Sequence, residues 1–114
     1  MQLRVKGVLE FDLQYRELKE SAEEGNGASQ ILLKKLDKAI EKLKYNFKAG
    51  EHISKDKIPK FYVIHYGVEN LWKLNIDQNY RLIYTIRGTE VEVMSVLLEY
   101  FDHKEYEKRF KYKG

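Results

Sequence analysis

The sequence predicts an α+β domain, with helices laid on one face of an antiparallel sheet. Three observations carry that expectation. Residues 29–47 repeat apolar side chains at spacings of three and four (Leu32, Leu33, Leu36, Ala39, Ile40, Leu43, Phe47), which turns one stripe of a helix towards a core. Three apolar runs follow at 70–76, 80–87 and 90–99, separated only by Asp77-Gln78-Asn79 and Gly88-Thr89. Links that short join antiparallel neighbours. The chain of 114 residues has the length of a single domain, 1–114, with one substantial core.

The elements follow in order. Residues 2–9 alternate weakly through Leu3, Val5 and Val8 and read as a first strand. Residues 11–24 carry Phe11, Leu13, Tyr15, Leu18 and Ala22 among charges, a short helix that Glu24-Gly25-Asn26-Gly27 breaks. Ser29 is a cap for the next helix, which Gly50 stops, and so short a link implies an antiparallel helix hairpin. Pro59 can open a short helix as its first residue, running through Lys60-Phe61-Tyr62-Val63-Ile64-His65-Tyr66 to Gly67. That helix is expected to dock Phe61 or Tyr62 together with Ile64. A last helix covers about 102–110, with Asp102 as N-cap and Glu105 completing a capping box.

Composition narrows the chemistry. The chain has no cysteine, hence neither disulfides nor thiolate catalysis. Its longest apolar run is too short to span a bilayer, and the charges in Met1-Gln2-Leu3-Arg4-Val5-Lys6 do not suit a signal peptide, so a cytoplasmic protein with no membrane partner is expected. A net charge of +3 permits nucleic-acid binding without demanding it. His52, His65 and His103 match no metal-ligand spacing, and no phosphate-binding glycine loop is present, so no metal or cofactor is expected.

Strand register carries the functional argument. With Asp77-Gln78-Asn79 as a three-residue loop, Asn75 faces Arg81 and Lys73 faces Ile83. With Gly88-Thr89 as a two-residue turn, Arg87 faces Glu90, Tyr84 faces Val93, Leu82 faces Ser95 and Arg81 faces Val96. Trp72, Leu74, Ile76, Tyr80, Leu82, Tyr84, Ile86, Val91, Val93 and Leu97 then share the face that meets the helices. Lys73, Asn75, Arg81, Ile83, Met94 and Val96 share the opposite face, which is expected to stay uncovered. A slip of one residue would bury both cations, so the pattern specifies the register.

Each candidate has an ordinary reading beside the functional one. Arg81 pairs with Glu92 or Glu99 on a solvated sheet face, or it forks onto phosphate oxygens. His103 is a surface histidine of a helix cap, or a proton-transfer group. Tyr106, one turn later, packs on the sheet or stacks a base. Lys104, Lys108, Arg109, Lys111 and Lys113 form a basic tail whose ordinary role is a solvated helix face.

Asn70-Leu71-Trp72-Lys73-Leu74, Tyr80-Arg81-Leu82-Ile83-Tyr84 and the stretch Phe101 to Phe110 resemble the RelE/ParE superfamily of toxins from type II toxin–antitoxin systems. The resemblance implies a first strand, a helix hairpin and an antiparallel sheet curved around a cationic concave face. RelE-like members cleave mRNA, many of them on the ribosome, by attack of the 2′-hydroxyl on the adjacent phosphate without a metal. ParE-like relatives inhibit gyrase. By that likeness Arg81 is the phosphate clamp, His103 the acid, Tyr106 the stacking residue and Lys73 a base or charge neutraliser. Lys60, Lys57, Asn75, Lys104 and Arg109 are the expected RNA-binding residues, with Lys60 reaching the same phosphate as Arg81. The expected partners are mRNA and the ribosome, a cognate antitoxin, and a second copy if the toxin dimerises. The alternative is a non-catalytic binding module of the same fold. The chain departs from the family in a milder basicity and in an insert at 51–69, which either extends the active face or covers the sheet edge at 70–76.

Overall fold

The structure, a computed structural model, describes residues 2–89 and 91–111. Its elements run β1 (Gln2–Gly7), α1 (Leu9–Glu23), α2 (Gly27–Tyr45), β2 (Glu51–Ile53), a 3-10 turn (Lys55–Lys57), α3 (Lys60–Tyr66), β3 (Leu71–Asn75), β4 (Tyr80–Gly88), β5 (Glu92–Asp102) and α4 (His103–Lys111). The fold is α+β, as the sequence implies. The sheet order is β1-β5-β4-β3-β2. All neighbours are antiparallel except β1, which runs parallel to β5 and makes the sheet mixed.

The helix hairpin forms much as the apolar spacing predicts. Asn26 rather than Ser29 caps α2: its side-chain Oδ1 accepts from the Ser29 N–H at 2.9 Å. A capping side chain reaches the N–H three residues ahead, so Ser29 is the capped residue and not the cap. Phe11, Leu18, Leu36, Ala39 and Leu43 bury against Leu74, Leu82, Tyr84 and Leu97 of the sheet. Tyr84 also ties down the link after α2, donating to the Phe47 carbonyl (2.9 Å) and accepting from Gly50 N (3.1 Å). A Cβ at Gly50 would strike the Lys73 carbonyl, so the chain passes there only as glycine.

The β3–β4 register is the expected one, Asn75 opposite Arg81 and Lys73 opposite Ile83. The β4–β5 register is not. Arg81 faces Phe101, Leu82 faces Tyr100, Tyr84 faces Leu97 and Arg87 faces Met94, while the expected partner Glu90 lies outside the described residues. Two features account for the difference. Thr89 closes a wider turn, its Oγ1 accepting from the amides of Val91 (3.3 Å) and Glu92 (3.2 Å), a local bond that competes with a two-residue hairpin. A bulge between Ile83 and Tyr84 of the ladder then skips Leu98. The extra residue leaves Leu97 in the α1–α2 core and sends Leu98 to the other face, while Tyr100 packs on the α1–α2 side and Phe101 opposite it.

The second face is not open. Ile53, Ile58, Tyr62, Val68, Leu71, Ile83, Leu98 and Phe101 bury there as a second core, with Tyr66, Val96, Tyr106 and Phe110 packed at its edge. Its cover comes from the insert and from α4. Pro59 precedes α3 as its cap residue, and Gly67 ends the helix at φ 64°, a left-handed value that suits glycine. Tyr62 is fully buried, whereas Phe61 stays half-exposed and Ile64 is 81% exposed, so Ile64 does not dock as expected. A seven-residue helix can bury only one narrow stripe, here Tyr62 with part of Tyr66. The insert also supplies β2, which pairs with β3 and covers that sheet edge.

Two outcomes are expected. Ile83→Ala should lose about 2–4 kcal/mol in denaturant unfolding, the cost of a cavity in a closed core; a solvent-facing strand position would lose under about half of that. Burial raises the Tyr15 and Tyr66 hydroxyls to about 12, with the Asp37 bond adding for Tyr15 and the Glu99 charge for Tyr66. A group whose folded pKa is raised contributes stability in full below its unfolded value. Stability should therefore hold up to about pH 10 and fall as pH climbs through 12. Tyrosinate absorbance of the folded protein should lag that of the unfolded chain over the same window.

Candidate functional site

Arg81 sits at the start of β4, where the second core gives way to the Asp77-Gln78-Asn79 loop. Its Nη1 donates to the carbonyls of Asp77 (3.2 Å), Gln78 (3.3 Å) and Tyr80 (3.3 Å). The loop itself is preset, since Asp77 Oδ1 accepts from the amides of Asn79 (2.7 Å) and Tyr80 (2.9 Å). Asp77 Oδ2 also meets Lys35 of α2 at 3.5 Å. A guanidinium held on three carbonyls loses its rotational freedom. It pairs with neither Glu92, which meets Arg4, nor Glu99, which meets Arg109.

Helix α4 starts against the same loop. The His103 amide donates to the Asn79 carbonyl at 2.6 Å, and Asp102 Oδ1 caps the helix by accepting from Glu105 N at 2.9 Å. That start brings His103 Nδ1 to 3.4 Å from Arg81 Nη2. The other ring nitrogen, Nε2, lies 2.8 Å from Glu107 Oε1. The network assigns the Nε2–H tautomer, with Nε2–H donating to the carboxylate and Nδ1 free of hydrogen facing the guanidinium. One turn on, the Tyr106 ring has Lys73 Nζ 4.8 Å and the Arg81 guanidinium 5.9 Å from its centre. It also stacks on Phe110 at 4.6 Å and makes a tilted contact with Phe101.

The four residues that the sequence singles out for chemistry thus lie in one cluster. Lys73 is partly offset by Glu51 of β2, 3.7 Å away. Asn75 is exposed beside Arg81 in the ladder, and Lys104 is exposed in the first turn of α4. Lys57 and Lys60 are exposed on the 3-10 turn and at the start of α3. Arg109 has a different setting. Its Nε meets Glu105 at 2.8 Å and its Nη1 meets Glu99 at 2.7 Å, and its guanidinium lies over Phe101 at 4.8 Å. Burial alone would lower its pKa, but the bond to Glu105, the nearby Tyr62 hydroxyl and the charge of Glu99 raise it overall. Tyr62 beneath it is pushed up, first by burial and then by the Glu99 charge. The Tyr62 hydroxyl and Glu99 Oε2 are buried there without a well-formed hydrogen bond, a spot where α3, α4 and β5 hold polar groups in close quarters.

Two partners were not singled out in the sequence. Glu107 stands at the i+4 spacing from His103, a signal that was legible. Glu51 reaches Lys73 only through the β2–β3 pairing, which a three-residue strand does not announce. Among the described residues no group of three or more His, Asp or Glu is placed to hold a metal ion, and no helix is long and apolar enough to cross a membrane.

Residues 10–99 match the family described as the ParE toxin of the type II toxin–antitoxin system parDE. The chain belongs to the ParE toxin family. It is a toxin of the RelE/ParE superfamily, and the family implies a cognate antitoxin as partner. The YoeB/ParE toxin from Agrobacterium tumefaciens has a similar solved structure, with a TM-score of 0.59 and 16% identity over 88% of this chain and 98% of that one. At that identity the likeness is one of fold. No curated protein sequence matches the chain.

The setting of Arg109 generates a prediction. Arg109→Ala should destabilise the toxin by about 2–3 kcal/mol, because it strands the mostly buried Glu99 carboxylate, with the cost reduced by the partial exposure of the pair. Chemical denaturation measures it. A loss below about half a kcal/mol would mean that Arg109 is a surface cation.

Proposed function

We propose that this ParE-family toxin is an endoribonuclease that cleaves mRNA by attack of the 2′-hydroxyl on the adjacent phosphate. The supporting observation is the loose 3.4 Å contact between Arg81 Nη2 and His103 Nδ1, with Lys73 Nζ 4.8 Å from the centre of the Tyr106 ring that Arg81 also meets. A phosphate oxygen can take over that contact, since a guanidinium held from behind by carbonyls offers its free edge at little entropic cost. In the step, the 2′-oxygen–phosphorus bond forms and the bond to the 5′-oxygen breaks, leaving a cyclic phosphate and a free 5′-hydroxyl. Lys73 takes up the 2′-hydroxyl proton as general base, and His103 gives one to the leaving oxygen as general acid. Arg81 stabilises the charge that builds on the equatorial oxygens, the term that is usually largest. Glu107 holds the imidazole in place. Lys57, Lys60, Asn75 and Lys104 lead the RNA backbone, and the ribosome is the natural setting for a small nuclease with an open cationic rim.

The family match supports a second reading. A ParE toxin directed at gyrase needs no proton transfer, and the Phe110 ring stacked on Tyr106 suits a surface built for protein contact. One pair of assays separates the two. In a translating extract the wild type should cut a reporter message within its coding region. Arg81→Ala should slow cutting by about a hundred-fold or more, as loss of one charge-stabilising donor does, while Arg81→Lys should retain a measurable fraction. Circular dichroism and thermal unfolding must show both variants folded, because Arg81 also braces the 77–79 loop. An intact message together with loss of gyrase supercoiling activity would establish the second reading instead.

A further inference from the structure

Helix α3 leaves an aromatic surface that the cluster around Arg81 does not use. The Phe61 ring lies parallel to the His65 ring, 5.1 Å apart and 11° from coplanar, and is 49% exposed. Glu10 of α1 fixes the outer end of the pair through a 2.6 Å bond to His65 Nε2. A cavity of about 340 Å³, lined by Pro59, Phe61, Tyr62 and Arg109, opens beside the ring. Its walls are a proline, two aromatic rings and a guanidinium whose charge Glu99 and Glu105 already balance. Such a guanidinium offers a flat stacking plane more than a net charge. Lys57 and Lys60, both exposed, stand on either side of Pro59 in the chain.

Flat apolar walls with flanking cations are what an unpaired nucleotide requires: a π-face for the base and ammonium groups for the phosphates. The cavity has room for a single base. It is also joined to the Arg81 cluster by stacked rings, Tyr62 on Phe110 at 5.8 Å and Phe110 on Tyr106 at 4.6 Å. Tyr106 itself is engaged by Phe110, Lys73 and Arg81, which leaves it poorly placed to receive a base. We infer that the α3 groove of Pro59, Phe61, Tyr62 and Arg109 is a base-stacking subsite for single-stranded RNA, with Phe61 as the platform and Lys57 and Lys60 as its phosphate contacts. The inference rests on the ribonuclease reading, because it supplies that enzyme with the stacking position that Tyr106 does not offer.

The probe is a fluorescein-labelled, fully 2′-O-methylated oligonucleotide, which binds but has no 2′-hydroxyl to attack. Phe61→Leu keeps an apolar side chain at a half-exposed position and removes the flat ring. It should weaken binding about ten-fold, the scale of one base–aromatic stack, and leave the salt dependence unchanged. Lys57→Ala with Lys60→Ala should instead flatten the slope of log affinity against log salt by about one to one and a half units. An oligonucleotide of the same length with abasic positions should bind wild type and Phe61→Leu alike. Phe61→Leu binding like wild type overturns the subsite, as does a Phe61 dependence that persists with the abasic probe. Loss of binding to a co-expressed antitoxin, with oligonucleotide affinity untouched, also overturns it and makes the groove a protein-docking surface. Cleavage by wild type that Arg81→Ala abolishes and Phe61→Leu spares would leave the nuclease standing without the subsite. Oligonucleotide binding that depends on Phe61, in a protein that cuts no message, would keep the subsite and discard the nuclease.

Discussion

Burial of the sheet on both faces is the constraint from which the rest of this toxin follows. Leu82 and Ile83 are neighbours on β4, both fully buried, and they point into different cores. The helix hairpin supplies one cover. The insert and α4 must supply the other, because a bare face carrying Ile83, Leu71 and Phe101 would expose several large apolar side chains to water. Where the second core ends, beside the first residues of β4 and α4, polar side chains reach solvent without crossing that core. Arg81, Lys73 and His103 therefore gather at that end for a reason of packing as well as of chemistry. The same constraint gives the 77–79 loop its importance: one turn receives the Arg81 guanidinium, the first amide of α4 and the Lys35 ammonium of α2.

The bulge at Leu98 serves both cores. Strict alternation along β5 would put every second residue from Leu97 on the α1–α2 side and carry Glu99 there as well. The extra residue sets Leu98 and Glu99 in succession on the α4 side and returns Tyr100 to the hairpin side, where its backbone amide and carbonyl both bond to the Gln14 side chain. Glu99 can then hold Arg109, and Arg109 holds α4 against the sheet. In this way a local irregularity of one strand determines how the C-terminal helix is seated, and with it the position of His103.

Much of this was legible in the sequence, for identifiable reasons. The α2 stripe, the β3–β4 register and the common face of Lys73, Asn75 and Arg81 follow from periodicity and a loop with a single workable length. The β4–β5 register was not legible, because Gly88-Thr89 looks like a tight hairpin while the Thr89 hydroxyl closes a wider turn, and a bulge leaves no mark in composition. The second core was missed for a subtler reason. Its residues come in pairs and singles from β2, the 3-10 link, α3, β3, β4, β5 and α4, so no single stretch shows enough apolar periodicity to announce a second layer. Arg109 read as part of a basic run, and only the fold shows it meeting a carboxylate ten positions earlier.

The candidate site combines two kinds of order. Arg81 is fixed from behind by main-chain carbonyls, which neither titrate nor move without the loop. His103 is fixed by one carboxylate on its own helix, and Lys73 by a carboxylate on the short edge strand β2. The arginine is thus a rigid anchor, while the histidine and lysine are held by exposed side chains that a bound phosphate can outbid. Surface ion pairs of this sort are worth at most about 1 kcal/mol. A site that binds an anion gains from that division: the group bearing most of the charge stabilisation is placed in advance, and the groups that must exchange protons stay free to rotate. That division is what the proposed phosphoryl transfer would require at this end of the sheet.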